Sequence, residues 1–392
     1  MNGSPKQSTS APTPANNSPP ANRYQNLRRP FSINTRYTVE FQIPNGYTDI
    51  EYVGGGKYGN VIKATSANKV QVAIKKMYTP FKDINIARRI YRELKLLQMI
   101  DHENILRLID IYTPDQSFRT FNNIYMITEY AGTSLDTVLN RQRQSQQVMV
   151  NPDHTKFMIY QLLRALKFIH SANVIHRDLK PSNLAVQESS DLTVLDFGMS
   201  RVLSPDDNDR SEYVITRWYR SPEVLYWSKR TYNTKADVWS VGCILAELLQ
   251  GTPLFPGSGA VEQYRLIIDL CGSPDEELMA KLGSDASVVR YMGIKPRKNF
   301  TTHFASFPPL AVDLLDKMLV MDADRRITVE EALKHPYLRD YHMPDDEPIA
   351  TTPFEFDDHE KATMEEWKKI LWEEIANFEP RVIEANKEAV NS

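Results

Sequence analysis

Several scarcities limit what this chain can be. Its 392 residues include only two cysteines, Cys243 and Cys271. Both lie in apolar, helix-like patterns and read as buried reduced thiols, so no disulfide framework is expected. No uncharged apolar run approaches the ~20 residues that carry a helix across a bilayer. A basic start followed by an apolar stretch is missing at the N-terminus, so no signal peptide is expected. Neither sign of charge is in excess: 47 basic against 50 acidic residues leave a net −3, which gives no electrostatic ground for nucleic-acid or membrane binding. No internal repeat is present. What remains is globular material, 41% hydrophobic and 25% charged, and an intracellular soluble protein of roughly two to three domain-sized units follows.

Residues 1–30 are rich in Ser, Thr, Pro and Asn with little to bury, and a disordered tail is expected. Ser4-Pro5, Thr13-Pro14 and Ser18-Pro19 lie within it as incidental or phosphate-accepting pairs. From Tyr37 the pattern turns strand-like: Val39 and Phe41, then Val61 and Ile62, then Val70, Val72 and Ile74. A helix-period stretch interrupts it at Ile86, Ile90, Leu94 and Leu97. Beyond Gly132 long helical patterns dominate, as over 157–170, 236–250 and 311–319. An α+β protein is expected, with a small β-rich lobe over 37–131 and a larger helical lobe over 132–341.

The stretch Val53-Gly54-Gly55-Gly56-Lys57-Tyr58-Gly59-Asn60-Val61 contains G-x-G-x-x-G-x-V. Glycines let backbone approach a phosphate closely. A dinucleotide-binding fold uses the same spacing before a helix, but Val61-Ile62 continues as strand, so a flap between two strands is expected. No Gly-Lys-Ser/Thr follows, which excludes a Walker-type loop. Val72-Ala73-Ile74-Lys75 places a lysine on a buried strand, where a carboxylate partner is needed. Glu93 stands in the helical stretch that follows. His176-Arg177-Asp178-Leu179-Lys180-Pro181-Ser182-Asn183 and Asp196-Phe197-Gly198 then match H-R-D-x-x-x-x-N and D-F-G. One amide oxygen and one carboxylate, Asn183 and Asp196, suit Mg²⁺, which prefers hard oxygens and keeps several waters. Asp178 is suited to accept a hydroxyl proton, and Lys180 to neutralise charge on a transferring phosphoryl group. Each short match alone is weak; their common order is not.

That order resembles a protein kinase, and further segments narrow it. Ser221-Pro222-Glu223 stands where A-P-E belongs, with Arg326 the expected partner of Glu223, and Asp237-Val238-Trp239-Ser240-Val241-Gly242 is similar to the kinase scaffold helix. Tyr213-Val214-Ile215-Thr216-Arg217-Trp218-Tyr219-Arg220, the insert at 271–298 and the acidic segment from Tyr341 to Pro348 resemble the mitogen-activated protein kinases, most of all the stress-activated, p38-type subfamily. The likeness runs from about 37 to 380. It implies a bilobal kinase fold, ATP and Mg²⁺ as cofactors, and transfer to Ser or Thr followed by Pro. Thr128 and Ala131 would line the adenine side, with Ala73 and Lys75. Residues 342–380 would form a docking segment and an extension that packs on the small lobe through Trp367, Trp372 and Phe378, leaving 381–392 as a flexible tail.

The resemblance also implies a switch. Phosphates on Ser211 and Tyr213 would be received by Arg89, Arg92 and Arg177, and by Arg217 and Arg220. Asp345, Asp346 and Glu347, with Glu188, would attract basic docking peptides. Implied partners are an upstream dual-specificity MAP kinase kinase, protein substrates such as transcription factors and downstream kinases, and MAP kinase phosphatases. No nucleic acid, no membrane, a monomer, and residence in cytoplasm and nucleus complete the expectation. The pattern is departed from in places. Ser211 replaces threonine, Glu212 replaces glycine, the lip is longer than in the stress-activated type, Met343 replaces an acidic residue, and Ser134 replaces a ribose-contacting Asp. A pseudokinase scaffold remains an alternative, though Lys75, Glu93, Asp178, Asn183 and Asp196 are all present. A cyclin-dependent kinase lacks support, because its cyclin-contacting motif is absent. An oxidoreductase is excluded by the strand after the glycines.

Overall fold

The computed structural model describes residues 27–34, 38–56, 59–145, 150–203, 217–226, 233–359 and 361–382. Residues 1–26 of the expected tail, most of 381–392, Lys57, Tyr58, Ser211 and Tyr213 lie outside them, whereas the end of that tail is ordered: Leu27 bridges Pro44, and Arg28 N donates to the Ile43 carbonyl at 2.8 Å. Two compact units emerge: one of 1–87, 109–127 and 361–392, the other of 88–108 and 128–360.

In the first unit, strands β1 (Phe31–Asn34) and β2 (Thr38–Phe41) form a hairpin. Strands β3 (Thr48–Gly56), β4 (Gly59–Thr65), β5 (Gln71–Met77), β6 (Leu108–Tyr112) and β7 (Tyr125–Glu129) form a sheet in the order β3-β4-β5-β7-β6. Alternation decides which side chains go inward. Ile62, Ala64, Val72 and Ile74 join Val39, Phe41 and Tyr125 in one apolar cluster. Val61, Ala73 and Lys75 therefore face the other way, and Val61 pairs directly with Lys75 across β4 and β5. The glycines lie on two paired strands, Gly54 opposite Val61 and Gly56 opposite Gly59, as the strand-flanked flap required. Gly59 is constrained by space: a Cβ there would sit 2.3 Å from the Lys76 carbonyl oxygen. The helix Met364–Asn377 belongs to this unit. A capping box of Thr363 and Glu366 starts it, and Trp372 meets Phe118 and Phe121 edge-on.

The second unit takes in most of the helix Ile84–Met99, including Glu93, which the sequence had grouped with the small lobe. Contacts explain the difference. Arg92 makes a forked bond to the Asp358 carboxylate, and the Tyr91 ring packs on Phe356 and His359. The centre is formed by two helices, Pro152–Ser171 and Lys235–Gln250. The first is capped by Asn151 with Pro152 in its first turn, where a missing N–H costs nothing. The second is buried along nearly its whole length, which matches its apolar composition. Strands β8 (Thr133–Ser134), β10 (Leu184–Val186) and β11 (Leu192–Val194) form one small sheet, and β9 (Val174–Ile175) pairs with β12 (Arg201–Val202).

A polar network holds β11 in place. Asn104 donates to Gln161 and to the Leu192 carbonyl, its own carbonyl accepts from Val194 N, and Arg164 donates to its side-chain oxygen. His102 lies beside it, its Nδ1 accepting from Asn104 N, its ring 5.2 Å from that of Phe168. Burial and the nearby Arg164 push the His102 pKa from 6.5 down to about 4. A buried neutral histidine takes up its proton only when unfolded. Its contribution is thus fully present above the ordinary range and lost as pH falls toward 4. Between about pH 7 and about pH 5 the loss is roughly 2 kcal/mol. Denaturant titrations at the two pH values are expected to show that His102→Gln loses less stability on acidification than the wild type.

The expected ion pair is also formed. Arg326 donates to both Glu223 oxygens at 2.7 and 3.0 Å, and to the carbonyls of Lys235 and Val320. Its guanidinium lies 5.1 Å from the Trp239 ring, and both charged groups are buried. Removing one member leaves the other as an uncompensated buried charge. Glu223→Ala is expected to destabilise this unit by about 3–5 kcal/mol, and an unchanged thermal midpoint would contradict it.

Candidate active site

Asp178 sits on a loop that a second, fully buried carboxylate holds from behind. Asp237 accepts from the backbone N–H of His176 and of Arg177, each at 2.9 Å, and bonds His170 Nε2 at 2.9 Å. Burial raises the Asp237 pKa, but the bond and charge of His170, with His176, outweigh it and hold the carboxyl below its usual value. Arg177 has φ +70°, an uncommon left-handed conformation for a residue with a long side chain, and the Asp237 bond holds it there. On the far side, His176 Nε2 bonds the Leu195 carbonyl oxygen at 3.0 Å, and its ring meets Phe197 edge-on. Leu195 N in turn donates to the Asn183 carbonyl at 2.9 Å. The H-R-D and D-F-G segments are thus tied together by one side-chain bond and one backbone bond.

Asp178 itself is 6% exposed. Its Oδ2 accepts from Lys180 Nζ at 2.6 Å and from Asn183 Nδ2 at 3.1 Å. Oδ1 has Arg220 Nη2 at 3.8 Å and accepts no hydrogen bond among the described residues. That oxygen is the one suited to a substrate hydroxyl. Asn183 turns its amide N–H groups back onto Asp178, bonding the carbonyl as well at 2.8 Å, which leaves its amide oxygen for a cation. Asp196 adopts φ +60°, with Oδ1 accepting from Gly198 N. One amide oxygen and one carboxylate in a kinase-type loop fit a magnesium ion that takes its remaining ligands from water and phosphate. No group of three His, Cys, Asp or Glu suited to a metal occurs among the described residues, which agrees with so sparse a donor set.

Arginines gather around Asp178. Burial holds the Arg220 guanidinium below its ordinary pKa range, Asp178 opposes this, and the positive charges of Arg177, Arg217 and Arg89 add to the lowering. Four of the five expected phosphate-receiving arginines therefore share one neighbourhood. Arg92 differs, because its fork is committed to Asp358. The docking residues divide similarly. Asp345, Asp346 and Glu188 are exposed, with Asp346 also accepting from Arg164. Glu347 departs from the expectation of an outward acid: it is 4% exposed and bonds Lys167 and His342, so its carboxylate turns into the fold. Ser134 caps the helix Leu135–Ser145, its hydroxyl bonded to Thr137.

Lys75, on β5, and the glycine hairpin lie in the first unit; Glu93, buried, lies in the second with Thr128, also buried, and Ala131, half-buried. Sequence reasoning singled out the scaffold helix but missed its Asp237 as the clamp behind Asp178. The available signal was a lone acid in the first turn of an otherwise apolar helix.

A buried carboxylate with a lysine, an asparagine and a second acid on linked loops defines a phosphotransfer site of the protein kinase class. A family model, "Protein kinase domain", matches residues 47–338. Curated relatives include mitogen-activated protein kinase pmk-3 of Caenorhabditis elegans, 48% identical over 90% of this chain and 77% of that protein. Mitogen-activated protein kinase 14 of Xenopus laevis is 43% identical, covering 88% and 94%, and mitogen-activated protein kinase p38b of Drosophila melanogaster is 44% identical, covering 87% and 93%. The chain belongs to the protein kinase family, and within it to the p38-type mitogen-activated protein kinases. It is a serine/threonine protein kinase with ATP as phosphoryl donor.

Losing a positioned base commonly costs ~10²–10⁴ in rate. Asp178→Asn is expected to fall in that range in a peptide phosphorylation assay while retaining ATP binding; near-normal turnover would refute the assignment.

Proposed function

We propose that this chain is a proline-directed kinase of an intracellular, stress-type MAP kinase cascade, switched on by phosphates on Ser211 and Tyr213. The observation that carries the reading is Arg220, 3.8 Å from Asp178, with Arg89, Arg177 and Arg217 near enough for their charge to act on it. Like charges so close repel one another, and a dianionic phosphate would relieve that repulsion while fixing the loop that carries the base. Ser211 and Tyr213 supply the acceptors, with an upstream dual-specificity kinase as donor.

In the reaction, Asp178 Oδ1 orients the Ser or Thr hydroxyl and takes its proton as the new oxygen–phosphorus bond forms. The bond from the γ-phosphorus to the bridging oxygen breaks, and ADP leaves. Lys180, already bonded to Asp178, places its charge beside the transferring group. Asn183 and Asp196 would hold Mg²⁺, which neutralises phosphate charge when bound. Lys75 and Glu93 would pair to hold the nucleotide phosphates. A proline after the acceptor suits this reading, because it has no backbone N–H to leave unsatisfied and its φ is already fixed. Basic docking peptides of activators, substrates and phosphatases would meet Asp345, Asp346 and Glu188. The proposal extends to cytoplasm and nucleus as the places where the protein acts, and to a monomeric state.

The test is phosphate transfer to a Ser-Pro or Thr-Pro peptide, before and after treatment with a dual-specificity activator kinase. Treatment is expected to raise the wild-type rate by at least ~10² and to leave the Ser211→Ala/Tyr213→Phe double variant at its basal level. Full activity in that variant would overturn the switch.

A further inference from the structure

The glycine flap contains a side-chain bond that the phosphotransfer chemistry does not use. Tyr52 Oη donates to Asn60 Oδ1 at 3.0 Å, bridging β3 and β4. Asn60 is 3% exposed, and its Nδ2 has no hydrogen-bond partner among the described residues. Between the two lies Gly55, which pairs with Asn60 across the hairpin. A Cβ on Gly55 would stand 1.9 Å from Asn60 Oδ1 and 2.8 Å from Tyr52 Oη. The bond therefore crosses directly over the middle glycine of the flap.

Strand alternation alone would not allow this. Tyr52 and Gly55 are three residues apart and would ordinarily face opposite sides of the sheet. The register slips by one between Tyr52, opposite Ile62, and Gly54, opposite Val61. Val53 is the extra residue and is 45% exposed. This bulge returns Tyr52 and Gly55 to one face. It is the face of Ile62, which is fully buried in the apolar cluster against which Tyr52 packs. Val61 and Lys75 occupy the opposite face, so the bond lies behind the flap and cannot touch a phosphate.

We propose that Tyr52 and Asn60 are positioning residues for ATP: their bond braces the three-glycine strand from behind. Gly54, Gly55 and Gly56 form a strand with the greatest conformational freedom a chain can have, and that freedom is lost when the backbone closes on phosphates. A brace made before the nucleotide arrives removes part of that cost. The proposal rests on the kinase reading of the flap.

Tyr52→Phe keeps the ring packed and deletes only the donor. One hydrogen bond of ordinary strength predicts a rise of about fivefold in KM for ATP, with kcat changed less than about twofold. Amide hydrogen exchange over Gly54–Gly56 is expected to quicken in the nucleotide-free protein. Asn60→Ala should act alike, and the double variant should be no worse than either single one, because they share one bond. An unchanged exchange rate in Tyr52→Phe, or additive effects in the double variant, would overturn the brace. A shifted melting temperature with KM and exchange unmoved would overturn it too, since that is a purely structural role. Exchange is read without any turnover, so a wild type that transfers no phosphate would count against the kinase reading and leave the brace to be decided by exchange alone.

Discussion

The Asp237 carboxylate is the constraint on which the site depends. A buried acid is unfavourable unless its oxygens are satisfied, and here they are taken by two consecutive backbone N–H groups and a histidine. Those N–H groups belong to the two residues before Asp178, one of which is held in a left-handed conformation. The base is thus placed by backbone, ahead of any contact its own side chain makes. Because Asp237 stands in the first turn of the helix Lys235–Gln250, the position of the base inherits the rigidity of the most buried helix in its unit.

Around that point the charges form a gradient of commitment. Arg326 is fully engaged and serves the fold. Lys180 is bonded to the base itself and serves the chemistry. Arg220 is half-buried, near Asp178 at 3.8 Å, and crowded by like charge. The same guanidinium group is thus locked into the fold or left short of acceptors, according to what its surroundings supply.

Much of the site was legible because it is local. Asp178, Lys180 and Asn183 fall within one short loop, and spacing alone brings them together. The strand-flanked flap followed from β-branched residues after the glycines. What escaped depends on partners distant in sequence. Nothing near Arg92 announces Asp358, and nothing near Glu347 announces Lys167; whether a charged side chain faces solvent or fold is decided by the second partner. The Tyr52–Asn60 bond was hidden for another reason. Alternation assigns Tyr52 to the wrong face, and a bulge leaves no mark in residue types that a single chain reveals. The helix carrying Glu93 was grouped by position in the chain, whereas its contacts with Phe356, Asp358 and His359 group it with the helical unit.

The inward turn of Glu347 has a consequence for how the protein meets its partners in solutions of different ionic strength. Its carboxylate is paired internally with Lys167 and bonded to His342, so a basic chain approaching the 342–347 segment would feel a weaker field than the sequence suggests. Salt screens only what is exposed, over about 8 Å under physiological conditions. Encounter with such a chain therefore depends less steeply on salt than three outward carboxylates would make it. If basic partners dock there as proposed, discrimination between them would fall more on shape and apolar contact, for which Met343, 55% exposed beside the remaining acids, offers a surface.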